Sequence, residues 1–234
     1  MQILNDNIVT TQKDSSVSGE PYIVNTNTMT NHNEIIDIIL NKDIDALQSW
    51  INKGGDVKTL IHEESLIQYI IDEIEIDEED IYVKMIEILI ENGADVNYFD
   101  EEYNAPVFQT IYLDKPKVLK LILEKGAHVH LVGEERDTPL TRAALDQNLE
   151  MIKLILPYSN NDFINRSGTF HAKTPLGLAF YYGNLEMIEL LLQYKADPFV
   201  NDGEGYPTIE NIPEDIDENL KKEIFDLIER YKTK

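Results

Sequence analysis

Cysteine is absent from this 234-residue chain. Disulfides, thiolate catalysis and cysteine-ligated zinc are excluded together. Bases are scarce: 20 Lys and Arg stand against 44 Asp and Glu, a formal charge of -24. So acidic a chain repels phosphates and anionic lipid, which argues against nucleic acid or a membrane surface as partner. No apolar run approaches the ~18–20 residues needed to span a bilayer. The first nine residues show neither the basic nor the apolar region of a targeting leader, and a cytoplasmic protein is expected. What the chain does have is apolar residues, 42% of the total. That is enough to build a sizeable core and rules out a merely disordered acidic tail.

Residues 1–32 are dominated by Thr, Asn, Ser, Gln and Asp and read as a disordered tail. From residue 33 a repeat emerges. Gly93-Ala94-Asp95-Val96-Asn97 returns as Gly126-Ala127-His128-Val129-His130. It is anticipated by Gly54-Gly55-Asp56-Val57 and echoed by Lys195-Ala196-Asp197-Pro198. Thr138-Pro139-Leu140 matches Thr174-Pro175-Leu176, with Ala105-Pro106-Val107 as a weaker copy. The run Asn148-Leu149-Glu150-Met151-Ile152 matches Asn184-Leu185-Glu186-Met187-Ile188.

These landmarks describe a two-helix unit. Thr-Pro opens a first short helix, where Thr caps free N–H groups and Pro tolerates the first turn. Asn-Leu-Glu opens a second helix with apolar residues at i, i+3 and i+4. Gly93 and Gly126 supply the left-handed residue that ends it. One such unit cannot bury its apolar face alone, so units must stack.

The pattern resembles the ankyrin repeat. The resemblance implies an all-α solenoid of stacked helix-turn-helix units with short hairpin-like turns, over units 33–57, 58–97, 98–130, 131–165 and 166–199. Residues 200–234 are then a turn and a capping helix with Ile216, Leu220, Ile224, Leu227, Ile228 and Tyr231 on its apolar stripe. The His usual after Thr-Pro-Leu is missing, with Ile67, Phe108, Thr141 and Gly177 in its place. Unit 131–165 lacks the Gly-Ala pair, so its second helix should end differently. The spacing from Asp56 to Asp95 is six residues longer than from Asp95 to His128, and this insertion is expected between the first and second helices of its unit.

No phosphate loop, nucleophile elbow or His-Glu-x-x-His pair is present. No catalytic residue, metal ligand or cofactor is therefore assigned. His128 and His130 have metal-ligand spacing but occupy the repeat positions of Asp95 and Asn97, which gives them a structural reading. Asp77-Glu78-Glu79-Asp80 lacks the alternating ligands and glycine of a calcium loop. The acids themselves are unevenly spread: residues 1–100 hold 21 acids and 5 bases, and seven acids fall between Asp72 and Asp80.

The resemblance implies that partners are bound on the concave side, by turn tips and the exposed ends of first helices. Residue by residue, this points to Asp72, Asp77, Glu78, Glu79 and Asp80 in the acidic insertion. The tips contribute Tyr98, Phe99, Asp100, Glu101, Glu102 and Tyr103, then Glu134, Glu135 and Arg136, then Phe170 and His171, then Glu204 and Tyr206. The helix ends contribute Ile71 with Asp72, Tyr112 with Leu113, Leu145 with Asp146, and Tyr181 with Tyr182. Aromatics interleaved with carboxylates suit a protein interface. The expected protein is a non-enzymatic, monomeric binder of one basic protein, an inhibitor or immunity-type protein against a toxin or nuclease. The alternative is a secreted effector or scaffold that recruits a host protein.

Overall fold

The computed structural model describes residues 26–75, 78–100, 104–133, 136–168 and 172–232. They fall into two compact units, one ending at Gly55 and one beginning at Asp56. The first unit is a helix pair, α1 (Thr26–Leu40) and α2 (Ile44–Asn52). Ile35, Ile38, Ile39, Leu47 and Trp50 are its buried side chains. Asp43 caps α2 by accepting from the Ala46 amide at 2.9 Å. Gly55 lies flat against the Trp50 indole, where a side chain would collide with the ring. Of the tail expected over 1–32, residues 1–25 lie outside the described residues, and residues 26–32 belong instead to α1. Polar composition hid its first turns, since a helix started by Ile35, Ile38 and Ile39 can propagate into residues without strong preference.

The second unit stacks helix pairs. A two-residue hairpin, β1 (Leu60–Ile61) and β2 (Glu64–Ser65), pairs Leu60 with Ser65 and Ile61 with Glu64. It leads into α3 (Leu66–Asp72) and α4 (Glu79–Glu91). Then come α5 (Pro106–Tyr112) with α6 (Pro116–Glu124), and α7 (Pro139–Leu145) with α8 (Leu149–Ile155). A short α9 (Asn161–Ile164) precedes α10 (Pro175–Tyr182) and α11 (Leu185–Gln193), and α12 (Glu218–Lys232) closes the unit. First helices pack on first helices (α3, α5, α7, α10), second helices on second helices (α4, α6, α8), and α12 packs on α11.

Capping follows the sequence landmarks. Thr138 and Thr174 accept from the amides of Thr141 and Gly177, while Asn148 and Asn184 accept from Met151 and Met187 at 3.2 and 3.1 Å. Gly93 and Gly126 are left-handed, at φ 96° and 95°, and Lys195 takes that conformation in the last Gly-Ala-type position. Where that pair is missing, α8 runs into a 3-10 turn over Leu156–Tyr158, and Asn160 caps the extra helix α9. The loops after second helices are tied from unit to unit. Asn97 accepts from the His128 amide (2.8 Å), His130 Nε2 accepts from the Asn160 amide (3.0 Å), and Asn165 accepts from the Asp197 amide (2.7 Å). His130 thus does the bridging that Asn97 does one unit earlier.

Two expectations need correction. Ser65 caps α3, and Gln68 closes the capping box three residues on. Gln68 therefore stands where Ile67 was expected, and the exposed helix-end pair shifts from Ile71–Asp72 to Asp72–Glu73. Ile67 and Ile71 are both fully buried. Ser65-Leu66 lacks the proline that marks the other units, so the register was displaced by one residue. The second correction concerns the insertion. The loop between α3 and α4, at 73–78, holds only part of it, and the remainder lengthens α4 to 13 residues against 9 in α6.

Residues 200–234 also form more than a turn and a cap. The Asp202 amide donates to the Tyr206 carbonyl at 2.8 Å, as Asp100 does to Asn104, Gly133 to Asp137 and Gly168 to Lys173. Thr208 then begins a 3-10 turn (Thr208–Asn211) that packs on α10, with its hydroxyl 3.1 Å from that of Thr174. This segment is a truncated sixth unit, with the 3-10 turn as first helix and α12 as second. The reversed order Pro207-Thr208 concealed it.

Candidate protein-interaction face

The first helices share one register. Counting from the N-caps Ser65, Ala105, Thr138 and Thr174, the seventh residue is Asp72, Tyr112, Leu145 and Tyr181, and the eighth is Glu73, Leu113, Asp146 and Tyr182. Because α3, α5, α7 and α10 pack side by side, these positions form a row along one edge of the layer. Tyr112 and Leu113 are 44% and 40% exposed, and Tyr181 and Tyr182 are 49% and 38%. Large apolar groups left that open, at equivalent positions, form a candidate contact surface.

The third residue after each cap faces inward and supports the next turn tip. Buried Gln68 donates from Nε2 to Asp100 Oδ2 (3.0 Å) and to the Asn104 carbonyl (3.2 Å). Phe108 packs beneath Gly133, Thr141 lies with Asp137 beneath Gly168, and Asn211 fills the space that Gly177 leaves. In α5 and α7 the fourth residue, Gln109 or Arg142, links its unit to the preceding first helix. Gln109 Nε2 donates to Asp72 Oδ1 at 2.6 Å. The Arg142 guanidinium lies 4.6 Å above the Tyr112 ring, and its Nε pairs with Asp146 at 3.0 Å. The Lys173 ammonium lies 5.3 Å from the Tyr181 ring centroid and also bonds Asn211.

Several acids expected to meet a partner therefore serve the chain itself. Asp72 holds Gln109, Asp100 accepts from Gln68 and from the Asn104 amide (2.8 Å), and Asp146 holds Arg142. Glu79 and Asp80 belong to the first turn of α4, not to a protruding loop. Glu79 Oε1 accepts from the Lys117 and Val118 amides at 2.8 and 3.0 Å. Helix α6 has Lys115 at its N-cap and no side-chain cap of its own, so the preceding second helix supplies one. Asp80 pairs with Lys117 at 2.7 Å; that ammonium holds the carboxyl below the usual carboxylate range and is itself held above the usual lysine range. Replacing Glu79 with Ala should lower stability by about 1 kcal/mol, the worth of a helix cap. Thermal unfolding followed by circular dichroism should show the loss, and Glu79→Gln, which keeps an acceptor, should lose less.

The remaining expected contacts are distributed as follows. Tyr98 is half-buried and donates to the Glu63 carbonyl at 3.3 Å, while Phe99 is exposed beside it. Glu78 is half-buried at the N-cap of α4, and Arg136 is exposed with a left-handed backbone. Glu204 and Tyr206 are exposed on the sixth tip, Tyr206 at 57%. Asp77, Glu101, Glu102, Tyr103, Glu134, Glu135, Phe170 and His171 lie outside the described residues.

Apart from Arg142 beside Tyr112 and Lys173 beside Tyr181, several bases lie away from this row. Lys117–Asp80, Lys125–Glu87, Lys153–Glu186 and Arg230–Glu189, all at 2.7–3.2 Å, join consecutive second helices. Exposed pairs of this kind contribute little to stability. Their consequence is spatial, for Arg142 is the one base on α3, α5, α7 and α10. Sequence reading missed Glu73, Gln68 and Gln109; a corrected Ser65 register would have exposed the first two, while Gln109 acts through a bond to Asp72 that is 37 positions away along the chain. Among the described residues no cluster of ligating side chains could hold a metal, and no helix is long and apolar enough to cross a membrane.

Residues 107–202 match the family model for ankyrin repeats in three copies. No curated protein matches the sequence. Among solved structures, an ankyrin repeat domain (ABAYE2397) of Acinetobacter baumannii AYE is similar at 20% identity and TM-score 0.66, over 88% of this chain and 98% of that one. The ankyrin repeat protein EF0377 is similar at 18% identity and TM-score 0.65, over 85% and 98%. A chain of the complex between the predatory endopeptidase Bd0816 of Bdellovibrio bacteriovorus and the immunity protein Bd3460 is similar at 17% identity and TM-score 0.64, over 82% and 97%. At these identities the likeness is one of fold.

Proposed function

Since the chain is an ankyrin-repeat protein, and so an interaction scaffold for protein partners, we propose that it is an acidic inhibitor of the immunity type. It binds one basic protein, a toxin or nuclease, through the first-helix and turn-tip face and covers that partner's anion-binding site. It acts in the cytoplasm without cofactor or catalysis of its own. The observation that carries the reading is the row of exposed Tyr112, Leu113, Tyr181 and Tyr182 on the base-poor layer of a protein of net charge -24. Aromatic anchors provide affinity where they are desolvated. Acidic surroundings speed encounter with a basic partner and disfavour acidic ones. A solenoid presents such a surface already ordered, which lowers the cost of binding. A structural neighbour found in an endopeptidase–immunity protein complex supports the same direction.

The test is capture from native lysate at low salt, release at about 0.5 M salt, where screening acts over only a few ångströms, and assay of the released protein. A basic nuclease or other toxin that loses activity when this protein is added back supports the reading. A released partner whose activity does not change favours the effector or scaffold alternative. Failure to retain any basic protein at low salt overturns the proposal.

A further inference from the structure

We propose that the element the partner lays on this face is a basic amphipathic α-helix, running along the stack from α3 to α10. The inference rests on the interaction reading above and specifies its occupant.

Periodicity comes first. The row changes once per first helix: Asp72–Glu73, Tyr112–Leu113, Leu145–Asp146, Tyr181–Tyr182. Neighbouring packed helices lie about 8–10 Å apart. An α-helix rises ~1.5 Å per residue, so its i, i+7 and i+14 side chains are spaced about 10.5 Å. Three apolar residues at heptad spacing therefore meet Tyr112–Leu113, Leu145 and Tyr181–Tyr182 in turn. An extended chain meets the same period at every third residue, about 10 Å, so spacing alone does not choose between them.

Hydrogen bonding chooses. An extended occupant brings a full set of backbone N–H and C=O groups, which need a sheet edge or water. This row offers no such edge. The Leu113, Asp114 and Lys115 amides donate to Gln109, Ile111 and Thr110 carbonyls. Those of Asp146, Gln147 and Asn148 donate to Arg142, Ala144 and Ala143, and those of Gly183 and Asn184 to Phe180 and Ala179. Between them the row presents side chains and helix-end carbonyls, which are acceptors alone and not the alternating donors and acceptors of a sheet edge. A helix satisfies its own backbone, so it can lie on aromatic and aliphatic groups and lose only water.

Charge sets the remaining chemistry. The α3 end of the row carries Asp72 and Glu73, with no base on that helix. Of the bases beside the row, Arg142 is held between Tyr112 and Asp146, Lys115 donates to the Ile74 carbonyl, and Lys173 bonds Asn211. Lysines or arginines at one end of the occupant thus lie over Asp72 and Glu73, and its apolar stripe lies over α5 to α10.

Three labelled synthetic peptides of identical composition test this against the full chain by fluorescence anisotropy. One carries leucines at i, i+7 and i+14 with lysines grouped beside the first. The second shifts the leucines to a nine-residue period. The third keeps the heptad order but moves a proline to its centre. The heptad peptide should bind at least tenfold more tightly than either of the others and gain helicity when bound. Tyr182→Ala should erase its advantage. Equal, salt-sensitive binding of all three overturns the helical occupant while leaving an acidic docking face intact. The helix proposal also falls if no peptide binds but a basic protein is still captured from lysate. Loss of both kinds of binding removes the interaction reading as well.

Discussion

Replacing Gly168 with alanine should cost about 3 kcal/mol, from overpacking and a displaced buried carboxylate. For a chain of this size that lowers the melting temperature by about 6–12 °C. Gly168 is buried and closes its turn tip by donating to the Lys173 carbonyl at 3.2 Å. A methyl group there would overlap Asp137 Oδ1 and touch Thr141 Oγ1. Asp137 is only 3% exposed, and its backbone carbonyl accepts from Gly133 to close the preceding tip. The carboxylate therefore cannot swing into water without disturbing two consecutive tips. Gly126→Ala is the contrast. Gly126 has φ 95° and open space where a Cβ would sit, so only backbone strain of about 1 kcal/mol is expected. A double-mutant cycle separates the mechanisms: in an Asp137→Ala background the Gly168→Ala penalty should shrink to under about 1 kcal/mol. Full retention of the penalty there would show that the backbone, not the carboxylate, resists the change.

Such couplings explain which parts of the molecule were legible in the sequence. Repeat order, caps and glycine stops are local signals. Thr138, Thr174, Asn148, Asn184, Gly93 and Gly126 could be read from a few neighbouring residues each, and the helices open and close where they indicate. The sixth half-unit and the Ser65 register were hidden because their proline signals are reversed or missing. Least legible was what the acids do. Glu79 capping α6, Asp72 holding Gln109 and Gln68 holding Asp100 each span 32 or more positions along the chain. Composition counted these carboxylates as surface charge. The fold uses them between repeats, because a repeat that lacks its own cap or turn brace can take one from its neighbour. The candidate face consequently moves from the acidic insertion toward the aromatic ends of α5 and α10.

That displacement makes the second large effect specific. Replacing Tyr181 and Tyr182 together with alanine should weaken binding of the salt-released basic partner by at least about 30-fold, the 2 kcal/mol scale of an interface hot spot. The loss should appear mainly in dissociation rate, because short-range contacts that exclude water act after encounter. Stability should change by little, since both rings are substantially exposed and meet edge to face at 5.3 Å. Reversing Glu73 and Glu204 to lysine should behave oppositely. Association should slow, with a shallower salt dependence, while dissociation changes less. Neither carboxylate caps a helix N-terminus, and Glu73 gives up its bond with the Tyr69 hydroxyl, so thermal unfolding is followed for each variant. Surface plasmon resonance at two salt concentrations, paired with thermal unfolding of each variant, resolves the two effects. If the tyrosine pair can be removed without change in dissociation rate, the partner is not anchored at α10. If charge reversal leaves association untouched, the excess of acids does not steer the encounter. Tyr182→Phe discriminates further: it keeps the ring and removes the hydroxyl, so retained affinity identifies buried aromatic area as the source of binding energy, and lost affinity identifies a hydrogen bond.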